Sequence, residues 1–539
     1  MNHPYATRSP VFGRNGMVAT SQPLAVAAGL QILERGGNAA DAAIATAAAL
    51  NVTEPTSTGL GGDCFALFYE ARTRRVYALN GSGRAPAALT LERLQKEGFG
   101  DSLPPFHPYT ITVPGACAGW CDLLERHGTL PLSEVLAPAI HLAEEGFPVA
   151  PVTAHFWQRA EKQLLQALNG RELLIDGQRA PRPGEIFRNP GLAKTLRRIA
   201  EGGKKAFYEG EIAEAIVAAV QQAGGCLSLE DLAEHTSTWD EPISIRYKDY
   251  RLWECPPNGQ GLTALLALGI LEGFELPSDP LSPERLHLEI EALRLAFADA
   301  RYFIADPRVA EVPLGSLLDP SYLARRRALI APKRANPHLP HGIPYPASDT
   351  VYMTVVDRWG NACSFINSNY MGFGTGIVPR GWGFTLQNRG HNFNLQPDHP
   401  NALAPRKRPY HTIIPALITH ADDDCLFASF GVMGGFMQPQ GHVQVFLALI
   451  ENRMDPQEAL DLPRFCLEEG TAGSRVALES GIDSATLQTL REWGHDVRPV
   501  EGWERALFGR GQVILRDRQS GVLIGGSDRR ADGCAMAIL

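Results

Sequence analysis

Helical periodicity dominates the start of the chain. The segment LAVAAGLQILERGGN (residues 24–38) spaces its apolar side chains as a mostly buried helix does, and Gly36–Gly37 predicts its end. The segment DAAIATAAALNV (residues 41–52) predicts a second helix, rich in alanine, with Asp41 as its N-cap. Small side chains would let this second helix pack closely against its neighbours.

Strand patterns alternate with further helices along the rest of the chain. Residues 64–71 and 74–81 predict a hairpin, and residues 110–330 are mainly helical, the clearest helix beginning at Ser282–Pro283. Residues 350–367 predict a second hairpin around the turn DRWGN. Two more strands are expected at 412–420 and 425–432, followed by a helix near His442.

A proline-rich segment separates these two parts. Residues 331–349 show neither the helical nor the strand pattern, which is typical of a mobile linker. A helical first part and a strand-rich second part around one linker predict a single α+β unit with mixed layers.

Composition narrows the function classes. The 539 residues are 44% hydrophobic and 20% charged, which excludes a disordered chain, and a net charge of −9 makes a nucleic-acid partner unlikely. The nine cysteines show no zinc spacing, so no metal or other cofactor is predicted. The N-terminal residues have no apolar signal region and no transmembrane run occurs, so a cytoplasmic protein with no membrane contact is expected.

The junction Asp349–Thr350 is the main candidate for chemistry. Thr350 opens the first strand after the linker. If the peptide bond before it were cut, its hydroxyl would be a nucleophile and its own α-amino group, with an ordinary pKa of about 7.7–8.0, would be the base. A strand-opening threonine without that cut would be structural.

Several motifs around this junction resemble the γ-glutamyltransferase family of N-terminal nucleophile hydrolases. They are GMVAT, LAVAAGLQILERGGNAADAAIA, STGLGGDCF, TVVDRWGNACSFINSNYMGFGTGI, RKRP and GVMGGFMQPQ, in that order. The resemblance implies a four-layer αββα fold and a proenzyme (zymogen) that cuts itself before Thr350. A large chain, 1–349, and a small chain, 350–539, would then form an intertwined heterodimer, with further dimerisation left open.

The same resemblance assigns roles to three further residues. Gly434 and Gly435 match the glycine pair whose backbone N–H groups form the family's oxyanion hole. Two converging N–H dipoles stabilise a tetrahedral oxyanion, and glycine allows the close approach. Ser368 lies where the family places a hydroxyl that hydrogen-bonds the nucleophile. An ordinary strand-to-helix turn and a surface serine are the structural alternatives.

The sequence departs from the family at the positions that bind the substrate's α-amino and α-carboxylate groups. At the position of the family's acidic residue this chain has Asn392, and at the position of the family's asparagine it has Tyr370. A neighbouring glutamine is replaced by Arg389, and two serines are replaced by His411 and Thr412. The family's carboxylate-binding arginine falls at Ser82, so Arg84, two residues on, is a further candidate.

These departures predict a different substrate. Without its acid the site would bury an ammonium ion unpaired, which is costly, whereas an arginine suits a carboxylate. The preferred substrate would therefore be a small amide with a carboxylate and no α-amino group. The pattern is similar to the oxamate amidohydrolase branch, which would release oxalate and ammonia and which hints at nitrogen salvage from purine breakdown.

Three alternatives stay open. The protein could be a γ-glutamyltransferase or glutathione hydrolase acting on glutathione-like donors. It could be an acylase for larger amides, such as a β-lactam side chain. It could also be a binding or structural relative that no longer cuts itself, although the intact Thr350 and glycine pair argue against that reading.

Overall fold

The computed structural model describes residues 7–337 and 350–538, which form helices and strands throughout. The helices are Pro23–Glu34 (α1), Ala39–Thr53 (α2), Leu91–Lys96 (α3), Ala116–His127 (α4), Leu132–Glu145 (α5), Pro151–Gln166 (α6), Pro190–Tyr208 (α7), Glu211–Gln222 (α8), Leu229–Ala233 (α9), Gly261–Leu271 (α10), Pro283–Phe303 (α11), Leu314–Leu317 (α12), Pro320–Arg327 (α13), Met437–Ile450 (α14), Pro456–Asp461 (α15) and Ser484–Glu492 (α16). The strands are Val11–Gly13 (β1), Gly16–Thr20 (β2), Asp63–Glu70 (β3), Arg75–Gly81 (β4), Phe147–Pro148 (β5), Ile186–Phe187 (β6), Thr238–Asp240 (β7), Ile243–Tyr247 (β8), Tyr250–Glu254 (β9), Val351–Asp357 (β10), Ala362–Ser368 (β11), Ala416–His420 (β12), Leu426–Met433 (β13), Phe465–Leu467 (β14), Val476–Glu479 (β15), Val497–Val500 (β16), Arg510–Arg516 (β17), Leu523–Ser527 (β18) and Cys534–Ala537 (β19).

Two antiparallel seven-stranded sheets lie at the centre. Sheet 1 has the order β19-β2-β10-β11-β3-β4-β7, and sheet 2 has the order β1-β18-β17-β13-β12-β9-β8. Each sheet therefore contains strands from both sides of residue 350. Cleavage there would leave two chains that share both sheets and could separate only by unfolding them.

The apolar faces of the helices and sheets determine how the layers stack. One core joins α1, α2 and α4 to the outer face of sheet 1, and a second joins α10, α11 and α14 to the outer face of sheet 2. A third core lies between the sheets and includes Phe65, Tyr352 and Leu417. The order helix, sheet, sheet, helix confirms the predicted four-layer αββα fold, an α+β architecture.

The predicted helices are present, with two corrected starts. The structure begins α2 at Ala39 with Asn38 as N-cap, whereas the sequence had predicted Asp41 in that role. Asp41 is instead the third helical residue, and its carboxylate accepts from the Asn38 N–H in a reciprocal capping box. Ser282 caps α11 as predicted. The helix expected near His442 begins earlier, at Met437.

Both predicted hairpins are present, as β3–β4 and β10–β11. The sequence analysis did not predict β1, β2, β5–β9 or β14–β19. Of these, β8 and β9 were missed because they lie inside the mainly helical part, yet they complete one edge of sheet 2. The strand expected from 412 begins only at Ala416, because the segment before it bonds instead to a loop: the His411 N–H donates to the carbonyl of Asn258 at 2.9 Å.

The linker, membrane and metal predictions can be compared only with the residues that the structure describes. Residues 338–349 of the proposed linker, including Asp349, lie outside the described residues. Within the described residues no helix has the length and apolarity needed to cross a bilayer. The same residues hold no group of three His, Cys, Asp or Glu side chains arranged as metal ligands.

Candidate active site

The register between the two sheets positions Thr350. Thr354 in β10 donates a hydrogen bond to Ser429 in β13 at 2.6 Å, and a Cβ on Gly431 would lie 2.5 Å from the ring of Tyr352. Because alternate residues of a strand face the same side, each step of two along β10 matches a step of two in the opposite direction along β13. Continued by one further step, the same alternation predicts that Thr350 faces Met433, the residue before the glycine pair.

Thr350 is buried and contacts a second hydroxyl. Its Oγ1 lies 3.1 Å from Oγ of Ser368, the last residue of β11. That Ser368 oxygen also accepts from the backbone N–H of Tyr370 at 2.8 Å and from Arg389 at 3.2 Å. The three contacts fix the serine oxygen beside the candidate nucleophile; the catalytic role assigned to this pair stays a prediction.

Arg389 is fully buried although it belongs to no α-helix or β-strand. It lies in a short 3₁₀ helix, Arg389–Asn392, and its two terminal nitrogens donate to Ser368 and, at 2.6 Å, to the hydroxyl of Thr412. Its guanidinium also lies over the ring of Tyr370, 4.5 Å from the ring centre. Burial lowers the pKa of Arg389 to about 10, so it stays charged at neutral pH.

Asp63 completes this group and was missed by the sequence analysis. Its carboxylate lies 3.9 Å from Nε of Arg389 and accepts from Nε2 of His411 at 3.1 Å and from the Gly83 N–H at 2.9 Å. An aspartate ending the glycine-rich segment STGLGGD was the available signal. The site therefore has a buried carboxylate after all, at a position other than Asn392.

His411 is neutral in this setting. Burial, reinforced by the charge of Arg389, lowers its pKa to about 3 in spite of the hydrogen bond to Asp63. Its Nδ1 accepts from the Ile413 N–H at 3.4 Å, which leaves Nε2 to carry the proton that Asp63 accepts. We call Asp63, Ser368, Tyr370, Arg389, His411 and Thr412 the Arg389 cluster.

Tyr370 and Asn392 form one wall of the cluster. Tyr370 has a left-handed backbone with φ of 80°, a conformation that costs a bulky residue energy and that is found at functional sites. Its hydroxyl donates to Oδ1 of Asn392 at 2.7 Å. Nδ2 of Asn392 and Nε of Arg389 are both buried donors with no hydrogen-bond partner among the described residues.

The glycine pair follows β13 directly and begins the turn into α14. Both residues have positive φ, 136° at Gly434 and 58° at Gly435, so a side chain would be strained at either position. Nε2 of Gln260 donates to the carbonyls of Gly435 at 2.8 Å and Thr412 at 2.5 Å. Gln260, a second residue that the sequence analysis missed, therefore ties this turn to the Arg389 cluster.

Arg84 is the predicted site residue that the structure does not bring to this cluster. Its guanidinium donates to the carbonyl of Thr236 at 3.3 Å and lines a separate cavity with His235, Arg308 and Arg406. Gly83, one residue earlier, is the one that contacts Asp63. The structure brings the other predicted positions together through the contacts given above: Thr350, Ser368, Tyr370, Asn392, His411 and Thr412.

Known proteins share this fold and sequence over their full length. A solved structure of cephalosporin acylase from Bacillus halodurans matches with a TM-score of 0.92 and 46% identity, covering 100% of this chain and 99% of its own. An oxamate amidohydrolase proenzyme of Klebsiella pneumoniae is 34% identical over 97% of this chain and 98% of its own length. A glutathione hydrolase-like proenzyme of Bacillus subtilis is 36% identical over 98% of this chain and 99% of its own length.

The sequence model of the gamma-glutamyltranspeptidase family matches residues 25–538, which include every residue of the Arg389 cluster. Fold, site geometry and these full-length similarities agree with the resemblance in the motifs. The chain belongs to the gamma-glutamyltranspeptidase family of N-terminal nucleophile hydrolases and is a hydrolase that acts on amide bonds.

Proposed function

We propose that the protein is a self-cleaving amidohydrolase for small amides that carry a carboxylate and lack an α-amino group, with oxamate as the smallest example. The observation that carries this proposal is a surplus of buried donors. Nε of Arg389 and Nδ2 of Asn392 have no hydrogen-bond partner among the described residues. Leaving a buried donor unpaired costs about 1–3 kcal/mol, and a substrate carboxylate would supply the missing acceptors.

The acceptors of the cluster are already engaged. Asp63 accepts from His411 and Gly83 and lies beside the charge of Arg389. The position that bears an acid in γ-glutamyl enzymes is Asn392, whose Oδ1 accepts from Tyr370. An α-ammonium ion entering here would compete with Arg389 for one carboxylate, so the electrostatics favour an anion.

Maturation would use the same hydroxyl as catalysis. Thr350 Oγ1 attacks the carbonyl carbon of Asp349, and the hydroxyl proton passes to the leaving peptide nitrogen, which becomes the α-amine of Thr350. Water then hydrolyses the resulting ester, which separates the two chains and restores the Thr350 hydroxyl. Thr350→Ala lacks the nucleophile and should stay one chain on a denaturing gel, while Thr350→Ser should still divide. An uncut wild-type band after prolonged incubation would contradict this step.

The mature enzyme would then act on the substrate amide. The α-amine takes the Thr350 hydroxyl proton as Oγ1 attacks the amide carbon, and the N–H groups of Gly434 and Gly435 stabilise the oxyanion. The carbon–nitrogen bond breaks, the leaving nitrogen takes that proton, and ammonia departs. Water, deprotonated by the same amine, hydrolyses the acyl–threonine ester. Arg389 and Asn392 hold the substrate carboxylate throughout.

Two chromogenic substrates that differ by one group test the substrate class. Glutaryl p-nitroanilide and γ-glutamyl p-nitroanilide are identical except for the α-amino group, so their ratio of kcat/KM isolates its effect. We expect the glutaryl compound to be preferred at least tenfold, and we expect oxamate to release ammonia. An equal or inverted ratio, or efficient transfer of the γ-glutamyl group to glycylglycine, would overturn the proposal.

One observation favours a second candidate. Asp63 is a buried carboxylate in the cluster, and it could accept an α-ammonium if Arg389 moved aside. A γ-glutamyl hydrolase would then follow, and the same ratio detects it. An acylase for larger amides is supported by the similarity to cephalosporin acylase, and glutaryl activity without oxamate activity would favour it.

A further inference from the structure

A second group of arginines lines a cavity away from Thr350. The cavity has a volume of about 290 Å³, and Arg84, His235, Thr236, Arg308 and Arg406 contribute to its wall. We call it the Arg84 cavity. The nucleophile and the Arg389 cluster do not line it.

The arginines around this cavity outnumber the carboxylates near them. Arg84 donates to the carbonyl of Thr236 at 3.3 Å, and Arg408 donates to the same carbonyl at 3.2 Å. The carboxylates of Asp306 and Asp240 act on both side chains, and Asp306 also accepts from the backbone N–H of Arg408 at 3.0 Å. Three arginines, with Arg308, therefore share two carboxylates, which offset only part of the positive charge.

The acidic residues in the wall are already committed. Glu234 pairs with Arg406 at 2.7 Å. The carboxylate of Asp231 accepts from the N–H groups of Ala87 and Ser228, both at 2.9 Å. The two acids therefore compensate one arginine and two backbone amides, and they do not neutralise Arg84 or Arg308.

The pKa values of Arg84 and Arg408 reflect the crowding of positive charges around the cavity. Burial and the nearby Arg308 lower the pKa of Arg84, and burial together with Arg84 lowers the pKa of Arg408 to about 9. Both ring nitrogens of His235 are buried with no hydrogen-bond partner among the described residues. Burial lowers the pKa of His235, so its neutral ring carries one N–H donor. An anion in the cavity would relieve the repulsion and give that donor an acceptor.

We propose that the Arg84 cavity binds a small oxyanion, a carboxylate or a phosphate, at a site separate from the one that performs catalysis. Arginine presents several N–H donors in a fixed fork that matches both kinds of anion. Arg84 and Arg308 would hold the oxygens, and His235 would donate from the cavity wall. The volume admits an anion of a few heavy atoms together with water.

The backbone separates this site from the Arg389 cluster. The Gly83 N–H points to Asp63, while the carbonyl of Arg84 accepts from the Val113 N–H at 3.0 Å and its side chain turns to Thr236. The segment that follows β4 therefore contacts both regions, through the Gly83 backbone on one hand and the Arg84 side chain on the other.

Calorimetric titration of the purified full-length protein tests the site. Inorganic phosphate and oxalate would be titrated separately, with sodium chloride keeping the ionic strength constant. Because oxalate is also the proposed reaction product, only binding that Arg308→Ala weakens is assigned to the Arg84 cavity, and the anion bound more tightly there identifies the anion class. We expect saturable binding of at least one anion with a stoichiometry of one per chain at the Arg84 cavity. No saturable binding of either anion would overturn the proposal.

Matched variants locate the binding. Arg308→Ala removes an exposed side chain and should weaken phosphate binding at least tenfold, and Arg84→Gln should do the same. Arg182→Ala, at an exposed arginine elsewhere, and Arg389→Lys should leave it unchanged. Equal affinity in Arg308→Ala and wild type, or loss of binding only in Arg389→Lys, would contradict the assignment. Circular dichroism of each variant shows that it is folded.

Discussion

Arg389 and Arg84 were both candidates to hold a substrate carboxylate, and the structure gives them opposite surroundings. Arg389 is fully buried, donates to two hydroxyl groups and has Asp63 3.9 Å away. Arg84 is partly exposed, donates to one carbonyl, and has Arg308 as well as the carboxylates of Asp306 and Asp240 as charged neighbours, with Arg308 the strongest of the three. The first arginine is balanced and close to the nucleophile, whereas the second is repelled and separated from it.

The difference shows what decides the role of an arginine near a motif. Gly83 and Arg84 are adjacent in sequence, yet Gly83 contacts the Arg389 cluster while the side chain of Arg84 leaves it. Arg389, in contrast, reaches Thr412, 23 residues away, through a loop with no regular secondary structure except its own 3₁₀ turn. Nearness along the chain is therefore a poor guide to membership of the site.

The largest expected difference between the Arg389 cluster and the Arg84 cavity is in the free energy of unfolding when one carboxylate is removed from each. Asp63→Asn leaves Arg389 buried without a carboxylate, and such losses cost about 3–5 kcal/mol. Glu234→Gln breaks an exposed pair with Arg406, which is worth about 0–1 kcal/mol. Urea unfolding in the Thr350→Ala background, which should keep the chain whole, measures both free energies.

The comparison fails if the two losses of stability are equal. A double variant, Asp63→Asn with Arg389→Met, supplies the control, because removing both charges should recover much of the stability lost with one. If Arg389→Met destabilises the Asp63→Asn variant as much as it destabilises the parent, the two side chains are not coupled.

Exchanging each arginine for lysine should separate the two regions in activity. Lysine keeps the charge but loses the fork that donates to Ser368 and Thr412 together. We expect Arg389→Lys to lower kcat/KM for the preferred substrate at least tenfold more than Arg84→Lys does. The loss should fall mainly on KM, because the side chain is proposed to hold the substrate carboxylate.

Steady-state kinetics with glutaryl p-nitroanilide and oxamate measure this difference. Denaturing gels of both variants establish that the chain has been cut, so that a loss of maturation is not read as a loss of binding. Equal effects of the two substitutions would show that Arg84 serves the reaction after all.

Much of this architecture was predictable, for identifiable reasons. The helix at Ser282, the hairpin at Thr350 and the contact of Thr350 with Ser368 follow local rules or a strong motif resemblance. The strands β8 and β9 were missed because pairing with β12 decides them, and that pairing is distant in sequence. Asp63 was missed for the same reason, since its partners His411 and Arg389 lie more than 300 residues away.

The histidine of the Arg389 cluster should give a smaller effect than the loss of Asp63. The pKa of His411 is lowered to about 3 in the fold by burial first and by Arg389 second, against about 6.5 in the unfolded chain. Between these values the unfolded chain binds the extra proton, so this contribution to stability is complete above about pH 6.5 and is lost as the pH falls towards 3. From pH 7.5 to 5.5 the loss is about 1.4 kcal/mol.

His411→Gln removes that titration while an amide N–H can still donate to Asp63. In the Thr350→Ala background, the change in unfolding free energy between pH 7.5 and 5.5 should therefore be smaller by about 1.4 kcal/mol than in the parent. Since other buried histidines, His442 and His495, also have pKa values lowered to about 3, the parent loses more than this in total. The exposed His141→Gln is the control. An unaltered pH dependence in His411→Gln would mean that His411 is charged in the fold, and the Arg389 cluster would then carry two cations against one carboxylate.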